Sequence, residues 1–128
     1  MPAVSRKVFV AETKEIPVLV FKMVRVALVG GTNTAPAPFD LFLGSLATCA
    51  GYYVLAFCRE RQIATEGITL TMTMEKPQGS KLYTKIGIII HLPAGFPEKY
   101  RAAVIKAADT CAVKAHIMNP PAFMITAD

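Results

Sequence analysis

The three cysteines, Cys49, Cys58 and Cys111, are the side chains of this sequence best suited to chemistry. A thiolate is a nucleophile, and its first oxidation product, a sulfenic acid, condenses with a second thiol to a disulfide. The cysteine spacings lack the paired Cys-x-x-Cys or Cys/His pattern of a zinc site, and three cysteines do not form a disulfide framework. Each cysteine is therefore either a reactive thiol or a small apolar core residue, and we expect no metal or other cofactor.

Cys49 and Cys58 lie in a run of eighteen residues without a formal charge, between Asp40 and Arg59. If this run is a helix, Cys58 is nine residues beyond Cys49 and points to the opposite face, so these two thiols cannot pair within it. We therefore predict that Cys58 is a core residue. The side chains that share the face of Cys49 are Phe42, Ser45, Leu46, Tyr52, Tyr53 and Ala56.

The segment DTCAVKAH places Cys111 at the start of a second predicted helix. Unpaired backbone N–H groups at a helix start favour a thiolate, and Lys114 follows three residues later. Asp109 would act in the opposite direction if it lies close. Cys111 is thus either an acidic thiol or a cysteine that stands at a helix start by chance.

The two histidines are predicted to be structural. His116 is five residues from Cys111, about 140° around a helix, which disfavours a Cys–His catalytic couple. His91 lies in an isoleucine-rich predicted strand. The sequence also shows no Ser–His–Asp arrangement, phosphate-binding glycine loop or paired-carboxylate motif.

The predicted elements follow an α+β order: strands, a long helix, a β-hairpin, two helices and a last strand. Period-2 patterns predict two or three strands within residues 7–29, and residues 30–38 form a loop. The long helix covers residues 39–63, and the hairpin joins residues 67–76 to residues 82–92 through a turn at residues 76–79. Helices at residues 97–109 and 111–119 precede a strand at residues 122–127.

Composition restricts the setting of this domain, which we expect to span residues 1–128 as one unit. Eighteen uncharged residues reach the lower limit for a membrane span, but the polar residues among them and the amphipathic strands around them predict a buried core helix, with no membrane association.

A hydrophobic content of 53% with 18% charged residues predicts a homo-oligomer. The net charge of +5 is spread along the chain, so we expect no nucleic-acid binding. The first residues lack the pattern of a signal peptide, which predicts a cytoplasmic protein.

Two segments together carry a family resemblance. GGTNTAPAPFDLFLGSLATC ends at Cys49, and DTCAVKAHI places Cys111 62 residues further on. The pair resembles the OsmC/Ohr family of organic hydroperoxide resistance and osmotically induced proteins, from about residue 30 to the end of the chain.

The resemblance implies an intertwined homodimer and a catalytic cysteine pair. In this family's peroxidases the first cysteine, here Cys49, attacks the hydroperoxide, and the second, here Cys111, resolves the sulfenic acid as a disulfide. An external dithiol reductant then restores both thiols. Spacing favours Cys111 as the more acidic thiol, whereas the resemblance assigns attack to Cys49. We follow the resemblance for the roles, because an arginine supplied across the dimer would lower the pKa of Cys49.

Two departures from the peroxidase pattern concern the neighbourhood of the reactive thiol. Phe39 stands where the peroxidases have a glutamate that orients an arginine, and Asp40, one position later, is turned about 100° away. The arginine itself would be Arg6 or Arg25. Also, Cys111 is followed by alanine where the peroxidases typically have proline.

Two functions compete on this basis. The first is a two-cysteine thiol peroxidase that reduces organic hydroperoxides in oxidative stress defence, a peroxiredoxin-like activity. The alternative is a binding module that uses the same pocket for a small apolar or thiol-bearing ligand, which the departure at Phe39 favours. In the peroxidase, the apolar substituent of the substrate would lie against Phe42, Leu46, Tyr52 and Tyr53.

Overall fold

A computed structural model of the protein describes residues 3–6, 8–12, 19–23 and 38–128, the first three ranges by their backbone alone. The predicted loop before residue 38 and Arg25 lie outside these residues, as does the side chain of Arg6. The described elements are β1 (Ala3–Arg6), β2 (Val8–Glu12), β3 (Leu19–Met23), α1 (Pro38–Glu60), β4 (Thr69–Glu75), β5 (Lys85–His91), a 3-10 turn (Glu98–Tyr100), α2 (Arg101–Asp109) and α3 (Ala112–Met118). The α+β class predicted from the sequence is confirmed.

Helix α1 is the central element of the described fold. Its most apolar 18-residue window has a mean hydropathy of 1.7, enough for a membrane span by length and composition, but 56% of that window is buried inside the protein. The helix packs against α2, α3 and strands β2 to β4. We interpret α1 as a buried core helix, although its length and composition would also suit a membrane span.

The end of α1 differs from the prediction, which placed it at residue 63. The helix ends at Glu60 because Gln62 adopts a left-handed conformation, with φ of 55°. The amide of Gln62 then donates to the carbonyl of Arg59, and the amide of Ile63 to that of Cys58, at 3.2 and 2.9 Å. This is a Schellman motif, which satisfies the last carbonyls of the helix.

The predicted hairpin of β4 and β5 is confirmed, with shorter strands than expected. The side chains of Leu70, Met72 and Met74 are buried, and the threonines between them are half-buried, as strict alternation requires. The turn is one residue later than predicted: the amide of Ser80 donates to the carbonyl of Pro77 at 3.0 Å. Gly79 is then its third residue, with the positive φ of 81° that a type II turn needs there.

The described strands form two antiparallel sheets. One has the order β1-β4-β5 and the other pairs β2 with β3. Among these strands β5 is the edge of the larger sheet. Its residues Ile86, Ile88 and Ile90 pair with the buried residues of β4 and so share their face of the sheet.

The strand predicted at residues 122–127 is absent, and this prediction is wrong for the single chain. Residues 120–128 have no regular secondary structure. Phe123, Met124 and Ile125 are the most exposed large apolar side chains of the described residues. The segment has strand-forming side chains, but a strand also needs a neighbouring strand to accept and donate its backbone hydrogen bonds.

Candidate functional site

Cys49 lies in the middle of α1 and is half-buried. One turn before it, the hydroxyl of Ser45 donates to the carbonyl of Phe42 at 2.6 Å, and Thr48 donates to the carbonyl of Gly44 at 2.8 Å. Both hydroxyl protons are thus used within the helix. Neither hydroxyl has a proton left to donate to the thiol of Cys49.

Cys111 caps the start of α3 and is 3% exposed. Its Sγ accepts a hydrogen bond from the backbone amide of Lys114 at 3.5 Å. The sequence predicted Cys111 in the first turn of a helix that starts at residue 111, whereas the structure makes it the N-cap of a helix that starts at Ala112. Burial of Cys111 opposes the effect of the helix start on the pKa of its thiol.

Cys49 and Cys111 are neighbours, close enough for Cys49 to act on the pKa of Cys111, and both cysteines are free. Burial raises the pKa of Cys111 above the ordinary thiol value of 9.0, the contact with Cys49 raises it further, and the amides of Lys114 and Val113 lower it by less. The expectation of an acidic Cys111 is therefore wrong, because desolvation outweighs the helix start. At neutral pH Cys111 is a protonated thiol beside Cys49.

Lys114 does not supply its charge to Cys111 alone, because its ammonium forms an ion pair with Asp109. Both residues also line a groove next to Cys111. The expectation that Asp109 would oppose any effect of Lys114 is consistent with this pair.

An apolar groove of about 610 Å³ runs between the inner face of β5 and helices α2 and α3, with Cys111 in its wall. Its lining is mainly aliphatic: Leu46, Ala50, Ile86, Ile88, Ile90, Ala102, Ile105, Ala108, Ile117 and Met118, with Lys106, Asp109 and Lys114 as the charged members. This groove was not predicted from the sequence. Its one visible signal was the isoleucine run of β5, whose inward residues Ile88 and Ile90 are only half-buried.

Of the four residues predicted to contact substrate, Leu46 lines this groove, and the other three lie elsewhere on α1. Phe42 is half-buried against the core. Tyr52 is 59% exposed, and its ring meets that of Tyr53 edge-on with centroids 5.5 Å apart. Leu46 therefore shares the groove with Cys111, whereas the three aromatic residues do not line it.

Phe39 belongs to an aromatic cluster at the start of α1. Its ring stacks on that of Tyr83 with centroids 5.3 Å apart, and it lies 5.2 Å from the ring of Phe42. The ammonium of Lys76 lies over the ring of Tyr83, 5.2 Å from its centroid. Asp40 is turned inward and is only 5% exposed. A phenylalanine held in this stack offers no carboxylate to an arginine.

The remaining cysteine and the histidines take structural positions. Cys58 is fully buried, and burial raises the pKa of its thiol, with Arg61 acting weakly in the opposite direction. His91 bonds the hydroxyl of Thr71 at 2.8 Å, and the ring of His116 donates to the carbonyl of Ala112 at 2.7 Å. Within residues 38–128 and the described strands, no three His, Cys, Asp or Glu residues converge as metal ligands.

Residues 31–126 match the family model described as OsmC-like protein. The chain belongs to the OsmC-like family. This confirms the resemblance carried by the two cysteine segments. No curated protein matches the OsmC-like chain.

Two solved structures share the fold of this OsmC-like chain. An OsmC-like hydroperoxide resistance protein from Jannaschia sp. CCS1 is 18% identical, with a TM-score of 0.61 over 96% of this chain and 90% of that one. A protein from Psychrobacter arcticus 273-4, provisionally named as an osmotic stress induced and detoxification response protein, is 21% identical, with a TM-score of 0.59 over 88% and 86%. At these identities the similarity establishes the fold.

Proposed function

We propose that this OsmC-like protein is a cysteine-based peroxidase that reduces organic hydroperoxides, with Cys49 as the attacking thiol and Cys111 as the resolving thiol. The contact between these two free thiols carries the proposal. Family membership and the fold shared with a protein named for hydroperoxide resistance support it.

The environments of the two thiols favour this assignment of roles. The attacking group must be a thiolate that the substrate can reach, and Cys49 is the less buried of the pair. Burial raises the pKa of Cys111 and keeps it protonated, so it is a poor first nucleophile. The thiol that remains protonated is suited to the later step.

The proposed reaction runs in three steps. The Cys49 thiolate attacks the terminal oxygen of the hydroperoxide, the O–O bond breaks, and the alkoxide leaves as the alcohol after taking a proton. The resulting Cys49 sulfenic acid condenses with the Cys111 thiol, forming the disulfide and releasing water. An external dithiol then reduces this disulfide by thiol–disulfide exchange and is itself oxidised.

We further propose that the protein acts in the cytoplasm as a homodimer, without membrane or nucleic-acid partners. Large apolar side chains on the exposed face of α1, among them Leu41 and Tyr52, support association with a second copy. Reduction of the proposed Cys49–Cys111 disulfide by an external dithiol would also require a reducing compartment, and the cytoplasm is such a compartment.

Thiol titration before and after cumene hydroperoxide tests the peroxidase. The wild type should fall from three free thiols to one, whereas Cys49→Ser should keep both of its remaining thiols. Cys58→Ala is the matched control, because it removes a thiol outside the pair and should still lose two. A wild type that keeps all three thiols under excess hydroperoxide would contradict the proposal.

A binding module for a small apolar or thiol-bearing ligand is the second candidate. The stacked Phe39 favours it, since this ring replaces the carboxylate that the peroxidases use beside their reactive thiol. Such a module would bind ligand with all three thiols still reduced. The same titration therefore separates the two functions.

A further inference from the structure

The connection between α2 and α3 carries Cys111 to its place beside Cys49. It consists of Thr110 and Cys111 alone. Thr110 ends α2, because its amide and its hydroxyl both donate to the carbonyl of Ala107, at 3.2 and 2.6 Å. Cys111 follows in an extended conformation, with φ of −52° and ψ of 133°, and α3 begins after it. The position of the Cys111 thiol therefore depends on how the facing ends of the two helices are fixed to each other.

Lys114 is linked to both sides of this connection. Its backbone amide donates to Sγ of Cys111 at 3.5 Å. Its ammonium forms an ion pair with Asp109, the last residue of α2. The ion pair thus joins the end of α2 to the first turn of α3, with Cys111 between the two charges in sequence.

Each charge of this pair lies at the unfavourable end of its own helix. The carbonyl end of a helix carries a partial negative charge, and the amide end carries a partial positive charge. Asp109 places a carboxylate at the carbonyl end of α2, and Lys114 places an ammonium in the first turn of α3. Only the pairing of the two side chains offsets this cost. A local rule that is broken on both flanks of Cys111 indicates a role at that residue.

We propose that Asp109 and Lys114 are positioning residues, which keep the Cys111 thiol directed toward Cys49 for the resolving step. This inference rests on the peroxidase put forward above. In the resolving step, Sγ of Cys111 attacks the sulfenic sulfur of Cys49. The S–S bond forms, the S–O bond breaks, and the hydroxide leaves with the Cys111 proton as water. As Sγ moves into the new bond, its contact with the Lys114 amide weakens, and the ion pair remains as the link across the connection.

The pair acts on the position of Cys111 and not on its charge. The carboxylate of Asp109 neutralises the ammonium of Lys114. Burial raises the pKa of Cys111, and on the side of Lys114 it is the backbone amide that lowers this pKa. A role in position also fits the step assigned to Cys111, because the resolving thiol reacts in its protonated form.

Ala112, the first residue of α3, does not fix the start of this helix by itself. A proline at the first position of a helix has its φ preset and loses no hydrogen bond there. With ψ of 133°, Cys111 already has the extended conformation that a residue before proline prefers. Ala112→Pro should therefore fix the connection without any charge and make the ion pair dispensable.

Trapping of the sulfenic acid tests the positioning role. Dimedone is added at successive times after one equivalent of cumene hydroperoxide, and the adduct on Cys49 is measured by mass spectrometry. In Lys114→Met the sulfenic acid should persist about twofold to fivefold longer than in the wild type, as expected for side chains that are 42% and 67% exposed. Peroxide consumption in the first turnover should not change. Arg101→Met is the matched control, because it removes the exposed ion pair with Glu98 at the other end of α2 and should cause no delay.

Two further variants separate positioning from a general loss of stability. Asp109→Asn breaks the pair from its other side and should give the same delay. It also removes an unfavourable carboxylate from the end of α2, so its stability in denaturant should be roughly that of the wild type. Ala112→Pro in the Lys114→Met background should restore the wild-type lifetime of the sulfenic acid.

Three results would overturn the positioning role while the peroxidase stands. One is a wild-type lifetime of the sulfenic acid in both Lys114→Met and Asp109→Asn. Another is slower peroxide consumption in these variants, which would place the pair in the first step or in the fold as a whole. The third is an equal delay in Arg101→Met. A wild type that forms neither sulfenic acid nor disulfide would instead overturn the peroxidase, and the positioning role with it.

Discussion

The two thiols at the candidate site differ in burial, and the roles proposed for them rest on this difference. Cys111 is almost fully buried, and the loss of hydration raises its pKa more than the amides of Val113 and Lys114 lower it. Cys49 is half-exposed. The hydroxyls of Ser45 and Thr48 on its own helix donate to backbone carbonyls and so do not donate to its thiol. Residue type and helix position alone suggested instead an acidic Cys111.

Replacement of Cys111, the proposed resolving thiol, should separate the two proposed oxidation steps. In Cys111→Ser, hydroperoxide should still oxidise Cys49, and the sulfenic acid should accumulate because no thiol traps it. Mass spectrometry after dimedone treatment should find the adduct on Cys49, followed by sulfinic acid with excess oxidant. Cys49→Ser should consume almost no peroxide. Rapid consumption by Cys49→Ser, with none by Cys111→Ser, would make Cys111 the attacking thiol.

The buried thiol of Cys58 should make stability fall in alkaline solution. Its pKa is raised above 9.0 in the folded protein, so the folded chain retains a proton that the unfolded chain releases. The stabilising contribution is complete below pH 9 and is lost as pH rises through the higher folded value. Denaturant unfolding at pH 7.5 and pH 10 should therefore show a larger loss for the wild type than for Cys58→Ala. Equal losses would contradict the shift.

At the scale of single elements, much of the fold follows from short patterns. The alternation of Leu70, Met72 and Met74 with threonines predicts both the strand and its buried face. The end of α1 escaped prediction because Gln62 takes a left-handed conformation that usually belongs to glycine. Patterns predict which element forms more reliably than where it stops.

Gly87 in β5 should be intolerant of a side chain. A Cβ at this position would lie 2.7 Å from Oγ1 of Thr73, its cross-strand partner. Gly87→Ala should therefore lower the free energy of unfolding by about 1–3 kcal/mol, as overpacking does. Gly95→Ala is the control, since a Cβ there meets nothing within 4 Å. Denaturant unfolding measures both, and the cost of Gly87→Ala should shrink in a Thr73→Ala background. A neutral Gly87→Ala would contradict the geometry.

The whole molecule shows which parts of the site no local pattern could reveal. Cys49 and Cys111 are separated by 62 residues, and only the family resemblance suggested that they meet. The groove depends on how α2 and α3 pack beside β5, which periodicity does not specify. The last predicted strand failed for a related reason, because side-chain propensity cannot supply the neighbouring strand that residues 122–127 need.

Thermal unfolding should depend on protein concentration if the folded chain is a dimer. Association stabilises the folded state by mass action, so the midpoint of unfolding should fall on a roughly hundredfold dilution. Differential scanning fluorimetry with an external dye, or calorimetry at several concentrations, measures this shift. A midpoint that stays constant over the series would indicate a folded monomer.

The pair of tyrosine rings beside Cys49 has an optical consequence. The chain contains no tryptophan, so its four tyrosines are the only strong ultraviolet emitters. Tyr52 and Tyr53 lie about one helical turn from Cys49. The ring of Tyr83 stacks on Phe39 and that of Tyr100 meets Phe57 edge-on, at other places in the fold. Sulfur groups quench tyrosine emission at short range, and a disulfide quenches more strongly than a thiol. The redox state of Cys49 should therefore be visible, without any label, in the intrinsic fluorescence of the protein.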